Sequence, residues 1–209
     1  MRPITPRIIF LDSDLQKSAQ YLTNHSLEMC IKSCVQILMC SIYYMLGFRT
    51  KSLFKYYFSK DKWKETRDKY FHTYPLTTAP TFSYYNSPES RWCRKCINHY
   101  NYISNYLWML LDEYGFRFNK EHKLSEMYDF LYKLPLVLQL KYGLKIPKLK
   151  DESKMQLPWK NLPIQYRKKD LIEGYRKYYK NIVFDPIMAY VGTKRDVPDF
   201  LMDKIESIV

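Results

Sequence analysis

The amino-acid sequence predicts a mostly α protein, a single compact helical domain (1–209) with a long central helix and a proline-containing surface segment. Three observations predict it. Glycine is scarce, with 5 in 209 residues, which is few for a chain built on tight turns. Apolar residues recur at helical spacing over long windows, and neither an internal repeat nor a βαβ alternation is present. A hydrophobic share of 46%, with 17% aromatic residues, excludes wholesale disorder and suits one respectable core for this length.

The elements follow from local punctuation. Arg7–Leu11 reads as a short buried strand or an extended lead-in, after which Asp12 or Ser13 caps a helix through about Leu22. Leu27–Leu46 is a second helix, ended by Gly47. It is long and apolar enough to resemble a membrane span, but Glu28, Lys32 and Gln36 recur every four residues, with His25 one turn earlier on the same side. That stripe is the solvent face of a packed helix or the lining of a cleft. A basic, aromatic helix is expected near Lys51–Tyr70 and a loop at Pro75–Pro80. The long helix starts after Pro88 and runs to about Phe118, with Gly115 as a weak point. Leu124–Lys141 is a further helix bent at Pro135, and Lys145–Pro163, with Pro147, Pro158 and Pro163, crosses the surface as a loop. Asp170–Lys180 is helical, and Pro198–Ile208 adds a short last helix. Tyr102 and Trp108 are expected in the core.

The net charge is +13, and the excess is concentrated. Arg49–Lys69 holds eight basic and three acidic residues, and Lys141–Lys180 holds twelve and four. Both runs interleave cations with aromatic rings, as in Tyr175-Arg176-Lys177-Tyr178-Tyr179-Lys180. Such a mixture neutralises phosphates and stacks on bases, so nucleic acid or a nucleotide is the expected partner, against the plainer alternative of a solvated lysine-rich surface. Tyr175 and Arg176 are candidate contacts within it. The five cysteines, Cys30, Cys34, Cys40, Cys93 and Cys96, fit buried free thiols of a reducing intracellular compartment. Cys93-x-x-Cys96 is a lone pair without the partners of a zinc site. No cofactor is specified, and a phosphate-cradling Gly loop, H-E-x-x-H and Gly-x-Ser-x-Gly are all missing from the sequence.

The segment Asn86–Lys123 carries the densest polar chemistry. It contains Asn86-x-Pro88-x(3)-Trp92-x-Arg94, then Asn98-x-Tyr100, then Glu113-Tyr114-Gly115-Phe116-Arg117-Phe118-Asn119-Lys120-Glu121-His122-Lys123. Two more blocks flank it: Leu11-Asp12-Ser13-Asp14 with His25, Met29 and Gln36, and Leu162-Pro163, Asp170, Tyr175-Arg176-x-Tyr178-Tyr179 and Lys194-Arg195-Asp196-Val197-Pro198. In this order, over about two thirds of the chain, they resemble a family of small, largely uncharacterised tailed-phage proteins. Its pattern is L-D-x-D, H-x(3)-M-x(6)-Q, N-H-P-x(3)-W-x-R, E-Y-x-Y-R-Y-x-[KR]-x-H-K, D-x(4)-Y-R-x-Y-Y and K-R-x-x-P-x-W. Here Ser87 stands in place of His, Cys96 in place of Ser and His99 in place of Asn, while Glu28 and Lys32 exchange the signs of a pair.

The resemblance implies a viral protein of the host cytoplasm with a phosphate-bearing ligand site. Arg94, Arg117 and Lys123 would hold phosphate, an arginine in a planar fork. Glu113, His25 and His122 would supply acid and base, and Asn86, Trp92, Asn98, Lys32 and Gln36 would line the ligand. The alternative is a noncatalytic nucleic-acid-binding or host-factor-binding protein that has lost site residues such as the histidine expected at position 87. A plain ion pair between Glu113 and Arg117, four apart on a helix, is the simpler reading of those two. On one straight helix Arg94 and Arg117 would be more than about 30 Å apart. Two clusters are therefore expected, one joining Arg94 and Asn98 to the His25 stripe and one holding Glu113, Arg117 and His122.

Overall fold

The computed structural model describes residues 6–47, 82–142 and 162–206, and the fold is mostly α. The helices are α1 (Leu15–Gln20), α2 (Asn24–Met45), α3 (Phe82–Tyr85), α4 (Pro88–Cys93), α5 (Ile97–Phe118), α6 (Ser125–Tyr142), α7 (Leu171–Ile182), α8 (Pro186–Tyr190) and α9 (Met202–Glu206). Short 3-10 turns lie at Ile164–Tyr166 and Asp199–Leu201. The helix expected near Lys51–Tyr70, the Pro75–Pro80 loop and most of the Lys145–Pro163 segment lie outside the described residues. The chain divides into two compact units: Met1–Ser33 with Asn105–His122 and Gln156–Val209, and Cys34–Ser104 with Lys123–Met155.

In the first unit, Ile8–Leu11 is buried and follows a bend at residues 7–8, and the described residues contain no strand. The lead-in alternative is the one realised, because side chains replace a ladder as hydrogen-bond partners. Tyr106 Oη donates to the Ile9 carbonyl at 2.7 Å, Arg176 Nε to the Leu11 carbonyl at 2.7 Å, and the Leu11 N–H donates to Ser18 Oγ at 2.9 Å. Phe10 lies against Tyr106 and Tyr175, with ring centroids 5.0 and 5.7 Å away. The cap of α1 is Asp14, which accepts from the Gln16 and Lys17 N–H groups. The cap is thus neither Asp12 nor Ser13, the two residues expected there, and Asp12 accepts from the Asp14 N–H and pairs with Arg176 at 2.9 Å.

The later elements of this unit dock through their caps. Asp170 caps α7 through the Ile172 and Glu173 N–H groups, and Gly174 lets the 3-10 turn come close. A Cβ at Gly174 would lie 2.4 Å from the Tyr166 carbonyl oxygen. Asp185 and Pro186 start α8. The last expected helix is split into the 3-10 turn Asp199–Leu201 and α9.

The second unit contains the later part of α2, α3, α4, the first turns of α5, and α6. Pro135 sits inside α6 and cannot donate to the carbonyl four residues earlier. That carbonyl belongs to Leu131, and Tyr100 Oη donates to it at 2.7 Å. A buried acceptor orphaned by proline is thus satisfied from α5. The ends of α2 also differ from expectation by a few residues. Thr23 Oγ1 accepts the Ser26 N–H at 3.2 Å and starts the helix at Asn24, and Gly47, at φ 97°, ends it.

The expected single helix from Pro88 to Phe118 is two, α4 and α5, separated at Arg94–Cys96. Neither proline nor glycine breaks it. Ser87, in the position of the expected histidine, caps α4 by accepting the Ser90 N–H at 3.2 Å. His99 closes the break: its ring stacks on Trp92 at 4.0 Å, and Nδ1 is 2.8 Å from the Trp92 carbonyl, to which it must donate. Within Ile97–Phe118 the helix is continuous, as the sequence predicts, and Gly115 does not interrupt it.

Candidate functional site

Glu113 and Arg117 are the expected pair, but their setting is more than a surface pair. Both are buried, and Arg117 Nε donates to Glu113 Oε1 at 2.6 Å. Nη1 of Arg117 reaches the Leu22 carbonyl at 2.7 Å and Asn24 Oδ1 at 3.2 Å, while Nη2 reaches the carbonyls of Gln20 at 2.9 Å and Ala19 at 3.5 Å. All five N–H donors of the guanidinium are therefore engaged. Three of the acceptors are carbonyls at and just beyond the C-terminal end of α1, where a cation is favoured. Tyr179 and Tyr190 hold the same turn, with the Thr23 N–H donating to Tyr179 Oη at 2.6 Å and Tyr190 Oη donating to the Tyr21 carbonyl. Burial, with Tyr179 beside it, pushes the Tyr190 hydroxyl well above its usual range.

Arg195 completes this cluster, and the sequence reading missed it as a site residue. Its Nε and Nη2 donate to Glu113 Oε1 and Oε2 at 3.0 and 2.8 Å, and its guanidinium lies 4.1 Å from the Phe116 ring centroid. The hydrogen bond to Glu113 raises the Arg195 pKa above its usual value. Lys194 donates to the Phe116 carbonyl and Asn119 Oδ1, both at 2.9 Å, closing the C-terminal end of α5. The signal for it in the sequence is the Lys194-Arg195-Asp196-Val197-Pro198 block. Three N–H groups of two guanidiniums now occupy three of the carboxylate's four lone-pair sites, so Glu113 serves as a structural anchor.

The other expected residues are distributed. His122 is buried, edge-on to Tyr114 with centroids 4.7 Å apart, and Lys123 is exposed. His25 and Lys32 are exposed, Lys32 pairs with Glu28 at 2.7 Å, and Gln36 is buried, so one helix face passes from solvent to interior along its length. Asn86 is exposed, Asn98 partly buried and Trp92 buried beneath His99. Tyr175 belongs to the core, and Arg176 holds the N-terminal segment. Trp108, expected in the core, is 49% exposed, because Asn101, Asn105, Trp108, Asp112 and Phe116 fall on the outer face of α5.

Arg94 lies within the second unit, against Tyr44 and Tyr85. Its guanidinium lies 4.2 Å from the Tyr44 ring centroid and 5.0 Å from that of Tyr85, and Nη1 donates to the Tyr85 carbonyl at 2.9 Å. Burial lowers the Arg94 pKa against the support of the two rings. Among the described residues that one carbonyl is its hydrogen-bond acceptor, so a half-buried fork between two tyrosines keeps donors for a planar anion.

The five cysteines are free and buried, as expected. Burial raises the Cys30 and Cys93 thiols to about 12. Among the described residues no group of His, Cys, Asp and Glu is arranged to hold a metal. α2 is the one described helix long and apolar enough to cross a membrane, with 83% of that apolar window buried inside the protein.

His99 gives the unit a pH dependence. Desolvation lowers its pKa, outweighing the hydrogen bond to Trp92. A histidine whose folded pKa is depressed contributes stability that is complete above the unfolded value of about 6.5 and is lost as pH falls through the folded value. Urea denaturation between about pH 7 and pH 5 is expected to show the wild type losing more stability than His99→Asn. Equal losses would remove His99 as the cause.

No protein family, curated protein or solved structure matches this chain.

Proposed function

We propose that the protein is a viral, noncatalytic nucleic-acid-binding protein that holds phosphate through Arg94, drawn to it by the chain's net positive charge. The contrast between two arginines carries the reading. Arg117 has every donor engaged within the protein, whereas Arg94 is flanked by Tyr44 and Tyr85 and gives one hydrogen bond among the described residues. The net charge of +13 supplies the long-range attraction. The engagement of Glu113 by Arg117 and Arg195 favours binding over nucleotide processing. Resemblance to the tailed-phage family supports the viral setting, and five free thiols suit a reducing host cytoplasm.

Titration of a labelled oligonucleotide at several salt concentrations tests the reading. Affinity is expected to fall roughly tenfold or more between about 50 and 200 mM salt, through release of counterions from neutralised phosphates. Absence of binding even at low salt overturns it.

A further inference from the structure

The charge of the chain is segregated between its two units. Cys34–Ser104 with Lys123–Met155, the unit that holds Arg94, contains 18 basic and 8 acidic residues, net +10 of the chain's +13. The other unit is nearly balanced, with 16 basic and 13 acidic. Within the charged unit, residues 34–47 contain no Lys, Arg, Asp or Glu, and Phe82–Ser104 has Arg91, Arg94 and Lys95 against Glu89, which is buried. Residues 123–142 have Lys123, Lys133 and Lys141 against Glu126 and Asp129, and Lys133 pairs with Asp129 at 3.8 Å. Among the described residues of this unit, the unbalanced charge therefore lies at the end of α4.

The three cations there share one face. The Arg94 N–H donates to the Ser90 carbonyl and the Lys95 N–H to the Trp92 carbonyl, both at 3.1 Å, so the chain is still wound as a helical turn where it leaves α4. Arg91, Arg94 and Lys95 thus stand at i, i+3 and i+4. Arg91 and Lys95 are exposed and form no ion pair among the described residues. A helix end favours a cation, but like charges at these spacings repel, and an anion that meets all three relieves them. The ring beside them selects the kind of strand. Tyr44 is partly exposed and lies 4.2 Å from the Arg94 guanidinium, while Tyr85, on the same cation, is buried. A phosphate on the Arg94 fork has an aromatic ring next to it, on which the adjoining base can stack. A duplex keeps its bases paired, and extruding one is costly. We infer, on the premise that Arg94 binds phosphate as proposed above, that its ligand is a single strand of DNA or RNA, with successive phosphates on Arg91, Arg94 and Lys95 and a base against Tyr44.

Charge alone favours a duplex, whose phosphates are denser along the axis, so the order of affinities separates stacking from attraction. Fluorescence anisotropy of the full chain, with labelled oligothymidine, oligouridine and the oligothymidine–oligoadenine duplex at about 50 mM salt, makes the comparison. Both single strands are expected to bind roughly tenfold or more tighter than the duplex. Arg91→Ala and Lys95→Ala should each lower the single-strand salt slope by about 0.7, the share of one phosphate. Lys17→Ala, which removes an exposed lysine of the other unit, should leave the slope unchanged. Tyr44→Leu should abolish the preference for single strands per folded molecule, and Tyr44→Phe, which keeps the ring, should retain it. A duplex bound as tightly as the single strands, a preference that survives Tyr44→Leu, or the same slope for Lys17→Ala as for Arg91→Ala each overturns the inference and leaves phosphate binding by Arg94 standing. Failure of all three probes to bind overturns that premise, and the inference with it.

Discussion

Arg117→Ala is expected to destabilise the protein by about 3–5 kcal/mol, the cost of breaking a buried charge pair by removing one partner. Truncation leaves Glu113 buried with Arg195 alone and strips the carbonyls of Gln20 and Leu22 of their donor. Each orphaned acceptor carries its own desolvation penalty of about 1–3 kcal/mol. Against a total stability on the order of 5–15 kcal/mol, such a loss leaves much of the chain unfolded at physiological temperature. Arg117→Lys recovers only part of it, since an ammonium cannot reach Glu113 and the α1 carbonyls from one plane. Urea denaturation followed by circular dichroism checks this. A loss below about 1 kcal/mol for Arg117→Ala would reduce the cluster to an ordinary helix ion pair.

Arg94→Ala is expected to weaken oligonucleotide binding by about ten- to hundredfold and to lower the salt slope by about one, as loss of a phosphate contact requires. Its effect on folding is smaller, about 0.5–2 kcal/mol from the contacts with Tyr44 and Tyr85. Arg94→Lys keeps the charge over the rings and loses the fork, so its affinity should fall between the two. Fluorescence anisotropy on the folded protein separates these outcomes. Unchanged affinity with reduced stability would assign Arg94 to architecture.

The parts of the fold encoded locally were legible in the sequence. The four-residue spacing of Glu28 and Lys32, and of Glu113 and Arg117, gave real ion pairs, and Asp170 marked the start of α7. Proline at 135 marked a helix whose interior carbonyl is served from another helix. What escaped depends on partners remote in sequence. The break at Arg94–Cys96 lacks proline and glycine and is held by His99 on the Trp92 carbonyl and by Arg94 against Tyr44. The buried Ile8–Leu11 segment relies on Tyr106 and Arg176. Arg195 meets Glu113 across 82 residues of chain, and no spacing rule reaches that far. Residue types that signal chemistry in a sequence, an Arg–Glu–Arg set above all, here also serve to join helix ends.

The most direct test of this assignment is Glu113→Gln, a nearly isosteric change, measured for both stability and oligonucleotide affinity. The expected result is a loss of about 2–4 kcal/mol in urea denaturation, because an amide cannot accept three N–H bonds from two guanidiniums, with an affinity per folded molecule equal to wild type. Unchanged stability together with lost ligand binding would contradict it and return Glu113 to a functional site.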